Sequence, residues 1–177
     1  GHGGSATGTV SLNITADPRF RPISFDGFVG DIKGSGDLLG TNAFQDITIL
    51  AGSGRVMLDG SFGRGGDIIR LDGAASTYTI ALSGSSALLK QGVTEVLIPL
   101  GLAGMPLVFT DGVRKLVYDA TSNSAKIGSQ SFGASAAAIA AAPDGTALPG
   151  GANASATARL LLAEGSEATI SGKYDVL

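Results

Sequence analysis

Leu107-Val108-Phe109-Thr110-Asp111-Gly112-Val113-Arg114-Lys115-Leu116-Val117-Tyr118 is the stretch whose reading decides the fold. Two dense runs of β-branched, aromatic and aliphatic residues flank an Asp-Gly pair. Such side chains fit a pleated surface. Asp tolerates the left-handed region, and Gly takes positive φ without a steric penalty. The pattern therefore predicts strand, tight turn, strand.

The same grammar extends along the chain. Val10, Leu12 and Ile14 alternate with polar residues, as do Ile47 and Ile49, then Tyr78, Ile80 and Leu82, the signature of half-buried strands. Val96-Leu97-Ile98, Leu107-Val108-Phe109 and Leu116-Val117-Tyr118 are denser and read as strands covered on both faces. Further Asp-Gly turns stand at Asp26-Gly27, Asp59-Gly60, Asp72-Gly73 and Asp144-Gly145. Short strands separated by such signals predict an all-β fold: an antiparallel sandwich, barrel or β-roll with many Asp-Gly turns.

One segment departs from this pattern. Ala134 to Ala142 is nearly pure alanine around Ile139 and stops at Pro143-Asp144-Gly145, which reads either as one short helix or as a linker. Strand patterns resume at 157–162 and 168–176. The domain map is thus a flexible tag remnant at 1–6, then a single β domain over 7–177 with an Ala/Gly/Pro-rich insertion or linker at 133–154.

Composition narrows the chemistry. The only histidine is His2, in the Gly-His-Gly-Gly-Ser opening, and there is no cysteine. Ser-His-Asp triads, Cys-His dyads and ordinary zinc sites each need a rigidly held imidazole or thiolate, so these are excluded and no enzyme is expected. A net charge of −3 without clustered lysines argues against nucleic acid as a partner. No apolar run approaches the about 18 residues of a spanning helix, so membrane insertion is not expected. A cysteine-free, Gly/Ala/Ser/Thr-rich chain suits bacterial export without a cleaved leader.

Carboxylates are the catalytic groups in good supply, but Asp26, Asp31, Asp37, Asp46, Asp59, Asp67, Asp72 and Asp111 mostly occupy turn contexts, where Asp serves the backbone. Gly63-Arg64-Gly65-Gly66-Asp67-Ile68-Ile69 fits the later part of a calcium-binding nonapeptide, in which Gly63 and Gly65 would bring carbonyls, and Asp67 a carboxylate, to a hard cation. The same residues also read as a glycine-rich loop before a strand. Arg19, Phe20 and Arg21, with Phe25 and Phe28 nearby, form an aromatic and cationic stretch that reads either as a ligand-binding face or as an edge loop that packs its rings inward. Asp17-Pro18 resembles the bond cleaved in self-processing secreted modules and also reads as an ordinary turn dipeptide. The Gly34-Ser35-Gly36-Asp37 loop lacks the Lys and Ser/Thr of a phosphate loop.

From about Arg55 to Phe132, the succession Asp67-Ile68-Ile69-Arg70-Leu71-Asp72-Gly73, Ser76-Thr77-Tyr78-Thr79-Ile80 and Leu107 to Leu116 resembles β-rich modules of large proteobacterial RTX-type and adhesin-like secreted proteins. The resemblance implies type I export, extracellular calcium as a cofactor, and a place in surface layers, biofilm or adhesion. The expectation is a non-enzymatic structural, assembly or adhesion module at the cell surface or outside the cell. Its partners would be other copies of itself or surface polysaccharide. The alternative is a carbohydrate-binding or carboxylate-based carbohydrate-cleaving module.

Overall fold

The computed structural model describes residues 19–64 and 66–149. Over these the chain is almost wholly strand. The single helical element is a three-residue 3-10 turn, Ala75–Thr77, so the all-β class holds. No described helix is long and apolar enough to cross a membrane. The strands expected at 10–14, 157–162 and 168–176, the remnant at 1–6, and residues 150–154 of the expected linker lie outside the described residues.

The first half is wound. Strands β1 (Arg19–Phe20), β2 (Val29–Ile32), β3 (Ser35–Leu38), β4 (Asp46–Ile49), β5 (Arg55–Leu58) and β6 (Ile68–Leu71) pass alternately between two facing sheets. Each therefore lies parallel to the strand two before it. Val29 pairs with Asp46 and Asp46 with Ile68 in one sheet, while Arg19 pairs with Ser35 and Gly36 with Val56 in the other. Parallel neighbours need a crossover connection, and here the opposite sheet supplies it.

The second half folds back on itself. Strands β7 (Thr79–Ser83), β8 (Ser86–Gln91) and β9 (Thr94–Pro99) form an antiparallel meander, and β9 lies parallel beside β5. Strand β10 (Met105–Phe109) lies parallel beside β6, then continues antiparallel through β11 (Gly112–Asp119), β12 (Ser124–Ile127) and β13 (Gln130–Phe132). Strand β14 (Ala137–Ala138) returns to pair with β7. Two seven-stranded sheets result, in the orders β1-β3-β5-β9-β8-β7-β14 and β13-β12-β11-β10-β6-β4-β2. The antiparallel arrangement expected from the Asp-Gly turns describes the meanders, and the wound half is parallel.

The inward faces make one core. Ile32, Ile49 and Leu71 form a rung across β2, β4 and β6, and Val56, Val96, Leu89 and Ile80 form one across β5, β9, β8 and β7. Outward positions are less covered than the dense runs suggested: Leu97 is buried, but Val108 and Val117 are half-buried. Each sheet has one face on the core and one toward solvent, so central residues of a dense run reach the outer face.

The alanine tract is neither a helix nor a loose connection over its described length. It runs extended, with Ile139 only 2% exposed and its N–H donating to the Tyr78 carbonyl at 3.1 Å. The Gln130 amide receives N–H groups from Ala140 and Ala141 at 2.8 and 3.1 Å and donates to the Ala138 carbonyl at 2.9 Å. The Arg114 guanidinium donates to the Ala141 carbonyl at 2.7 Å, and the Asp144 N–H donates to Val113. Nine alanine-rich residues gain too little from helix propensity to outweigh these partners. The tract straps β7 of one sheet to β11 and β13 of the other.

Candidate functional site

The candidate binding residues lie at the end of the molecule where β1 and β2 are the outermost described strands of their sheets. The structure separates them. Phe20 turns its ring into the core and is 8% exposed, whereas Arg19 faces out and pairs with Asp37 at 3.3 Å. This close approach of β1 requires Gly36, because a Cβ there would overlap the Phe20 carbonyl and ring. Arg21 is exposed. Phe28 is buried and meets Phe25 edge to face, with ring centroids 5.3 Å apart. Phe25 itself stays 61% exposed, and Ile23, beside the Ile23–Leu39 bridge, is 75% exposed. The rim is thus Arg19, Arg21, Ile23 and Phe25. Ile23 escaped sequence reasoning because one isoleucine between Pro22 and Ser24 carries no periodic signal.

The glycine turn is built around Asp67, which is fully buried. One carboxylate oxygen accepts the Gln45 N–H and the other the Gly63 N–H, both at 2.7 Å. Gly65 lies outside the described residues. Gln45 is also fully buried. Its amide donates to Thr41 at 2.6 Å, and its Oε1 has no partner among the described residues. No group of three His, Cys, Asp or Glu side chains among the described residues is placed to hold a metal ion.

Four other aspartates follow the same structural logic. Asp59 accepts the Gly40 N–H at 3.0 Å, Asp72 the Ala51 N–H at 3.3 Å, Asp111 the Ala75 N–H at 3.0 Å and Asp144 the Lys115 N–H at 2.7 Å. Four of the five Asp-Gly pairs therefore send their carboxylate to a backbone N–H on another turn of the chain. At the corners of a wound sheet the ladder stops and N–H groups lose their partners, and an aspartate restores them. Elsewhere, Asp46 forms a two-pronged pair with Arg70 at 2.6 and 2.7 Å. Arg114, nearly fully buried on the inner face of β11, is held by both oxygens of Asp111 and sits 5.4 Å from the Phe109 ring centre.

These contacts set the acidities. The Ala75 N–H and the Arg114 guanidinium hold Asp111 below the ordinary carboxylate value of 3.8. Lys126 and Ser122 do the same for Asp119. Burial alone would raise Asp59 and Asp144, but hydrogen bonds outweigh it: Ser61, Gly40 and the Ser61 N–H at Asp59, and Thr146 and Lys115 at Asp144, so both are lowered. Burial, then the Asp72 carboxylate, pushes Tyr78 up to about 12, and its hydroxyl donates to the Asp72 carbonyl at 2.5 Å.

Comparison with protein-family models, with curated proteins and with solved structures finds no match to this chain.

Proposed function

We propose that this chain is a non-enzymatic structural and adhesion module of a bacterial extracellular or cell-surface protein, which presents its exposed rim to surface polysaccharide or to further copies of itself. The observation that supports this reading is the use made of the aspartates. The carboxylates that could have served catalysis instead join turn to turn through backbone N–H groups and arginines. A panel of glycoside and ester substrates tests it. We expect no turnover above buffer; turnover abolished by a single Asp→Asn substitution would overturn the reading.

The carbohydrate-binding alternative has one feature in its favour. Phe25 presents an exposed aromatic face on the same rim as Arg19 and Arg21, and such faces stack on sugar rings. Specific micromolar hits on a glycan array, lost in Phe25→Ala, would establish that role without restoring a catalytic one.

Calcium enters the proposal at the turn around Asp67. Gln45 Oε1, a buried oxygen without a donor among the described residues, favours a cation nearby, but calcium takes six to eight oxygens and both Asp67 oxygens already hold N–H groups. We expect the same melting temperature in chelator and in about 10 mM calcium, near the weak end of extracellular affinities. A calcium-dependent rise that disappears in Asp67→Asn would place the ion at this turn.

A further inference from the structure

Residues 19–25 alternate strictly between outside and inside. Phe20 and Ser24 are buried and Pro22 is half-buried, while Arg19, Arg21, Ile23 and Phe25 are exposed. The alternation has a local cause. Arg19 pairs with Ser35, Phe20 with Gly36 and Ile23 with Leu39, so the run lies alongside β3 in one register and its side chains point to opposite faces in turn. Ser24 holds the far end, its N–H donating to the Leu39 carbonyl at 2.8 Å and its hydroxyl to the same oxygen at 3.1 Å. The outward row is a strip about 20 Å long by the rise of a strand, cationic in its first half and apolar in its second.

The strip is unlike the rest of the described surface. Four large apolar side chains are exposed among the described residues: Ile23, Phe25, Val93 and Leu102. Val93 and Leu102 stand singly in the turns after β8 and β9, as surface apolar residues ordinarily do. Ile23 and Phe25 stand together, and the buried Phe28 ring braces Phe25 edge to face. The cations of the strip are in excess. Arg19 shares Asp37 at 3.3 Å, and Arg21 makes no ion pair among the described residues.

Resting on the carbohydrate reading of this rim, we propose that the strip binds an acidic polysaccharide, a linear polymer of uronate type. A guanidinium presents a planar fork that meets a carboxylate with two parallel N–H donors. An aromatic face packs on the apolar face of a sugar ring. Here both stand in one row, so neighbouring sugars of one polymer chain reach Arg21 and Phe25. A neutral polymer offers Arg21 no carboxylate, and a polyanion without rings offers Phe25 no flat apolar face.

Affinity electrophoresis of the full chain through gels containing polygalacturonate, dextran or polyglutamate tests this. We expect retardation by polygalacturonate that weakens with added salt, because exposed charges are screened, and none by the other two polymers. Arg21→Gln should weaken it about tenfold, the loss of one charge-assisted contact, and Phe25→Ala should weaken it as well. Lys115→Gln, the same loss of charge on the other sheet, should leave it unchanged. Retardation by dextran alone, lost in Phe25→Ala, would overturn the acidic assignment and keep the carbohydrate reading. Equal retardation by polyglutamate would reduce the strip to charge alone and overturn the proposal. No retardation in any gel would overturn it too, leaving the glycan array to decide the broader reading. A mobility that depends on the concentration of the chain itself, and no longer does so in Phe25→Ala, would make the occupant a second copy and overturn the polysaccharide.

Discussion

Asp111 shows how a turn signal takes on a second role in this chain. Its carboxylate accepts the Ala75 N–H and grips Arg114, while Gly112 beside it adopts φ 120° to turn β10 into β11. The Asp-Gly pair is legible in the sequence as a turn. The long-range bond is not, because nothing local in the sequence marks which N–H, 36 residues earlier, will lack a partner. The lowered pKa values of Asp59, Asp111, Asp119 and Asp144 have a direct consequence. A carboxyl held below its unfolded value of 3.8 contributes stability that is present above that pH and is lost as pH falls through the folded values. Tyr78 works in the opposite direction. Raised from 10.0 to about 12, it costs stability as pH climbs between those values, since the unfolded chain ionises first. Urea midpoints across pH should be level from about 5 to 9, fall below about 4 and fall again above about 10. Replacing Tyr78 by Phe should remove part of the alkaline fall.

At the scale of elements, alternation located most strands because the side-chain period of two is independent of what lies alongside. Ile47, Ile49, Ile80 and Leu82 were legible on that ground. Strand direction was not, because a strand reads the same whether its neighbour runs with it or against it. The wound half therefore resembled a series of hairpins until the ladders Val29–Asp46 and Asp46–Ile68 were known. The alanine tract was misleading for a related reason: its propensity points to a helix, and the partners that hold it extended lie on β7, β11 and β13. Ile139→Ala should cost about 2–5 kcal/mol by chemical denaturation, the range for emptying a buried aliphatic site. A linker residue would cost less than about 0.5 kcal/mol. Deleting residues 134–149 and bridging with a short Gly/Ser loop should go further and remove cooperative unfolding, since the Arg114 and Gln130 partners go with the tract. Loop closure alone would change by only about 1 kcal/mol.

In the whole molecule, a parallel wound half and two antiparallel meanders share one core, and aspartates close the corners where the ladders end. At the rim, the inward turn of Phe20 and Phe28 was one of two readings open from composition; the exposure of Ile23 and Phe25 required the fold. The central claim is that the carboxylates hold the fold and do not carry chemistry. Asp67 tests it most directly, being fully buried with an N–H on each oxygen. Urea unfolding of Asp67→Ala beside the natural chain, with both proteins assayed on the same substrate and glycan panels, separates the two roles. We expect a loss of about 2–4 kcal/mol, because the buried Gln45 N–H and the half-buried Gly63 N–H lose their acceptor, with an unchanged denaturant slope and no difference on the panels. Stability within about 0.5 kcal/mol of the natural chain, together with loss of a turnover or binding activity that the natural chain possesses, would contradict it.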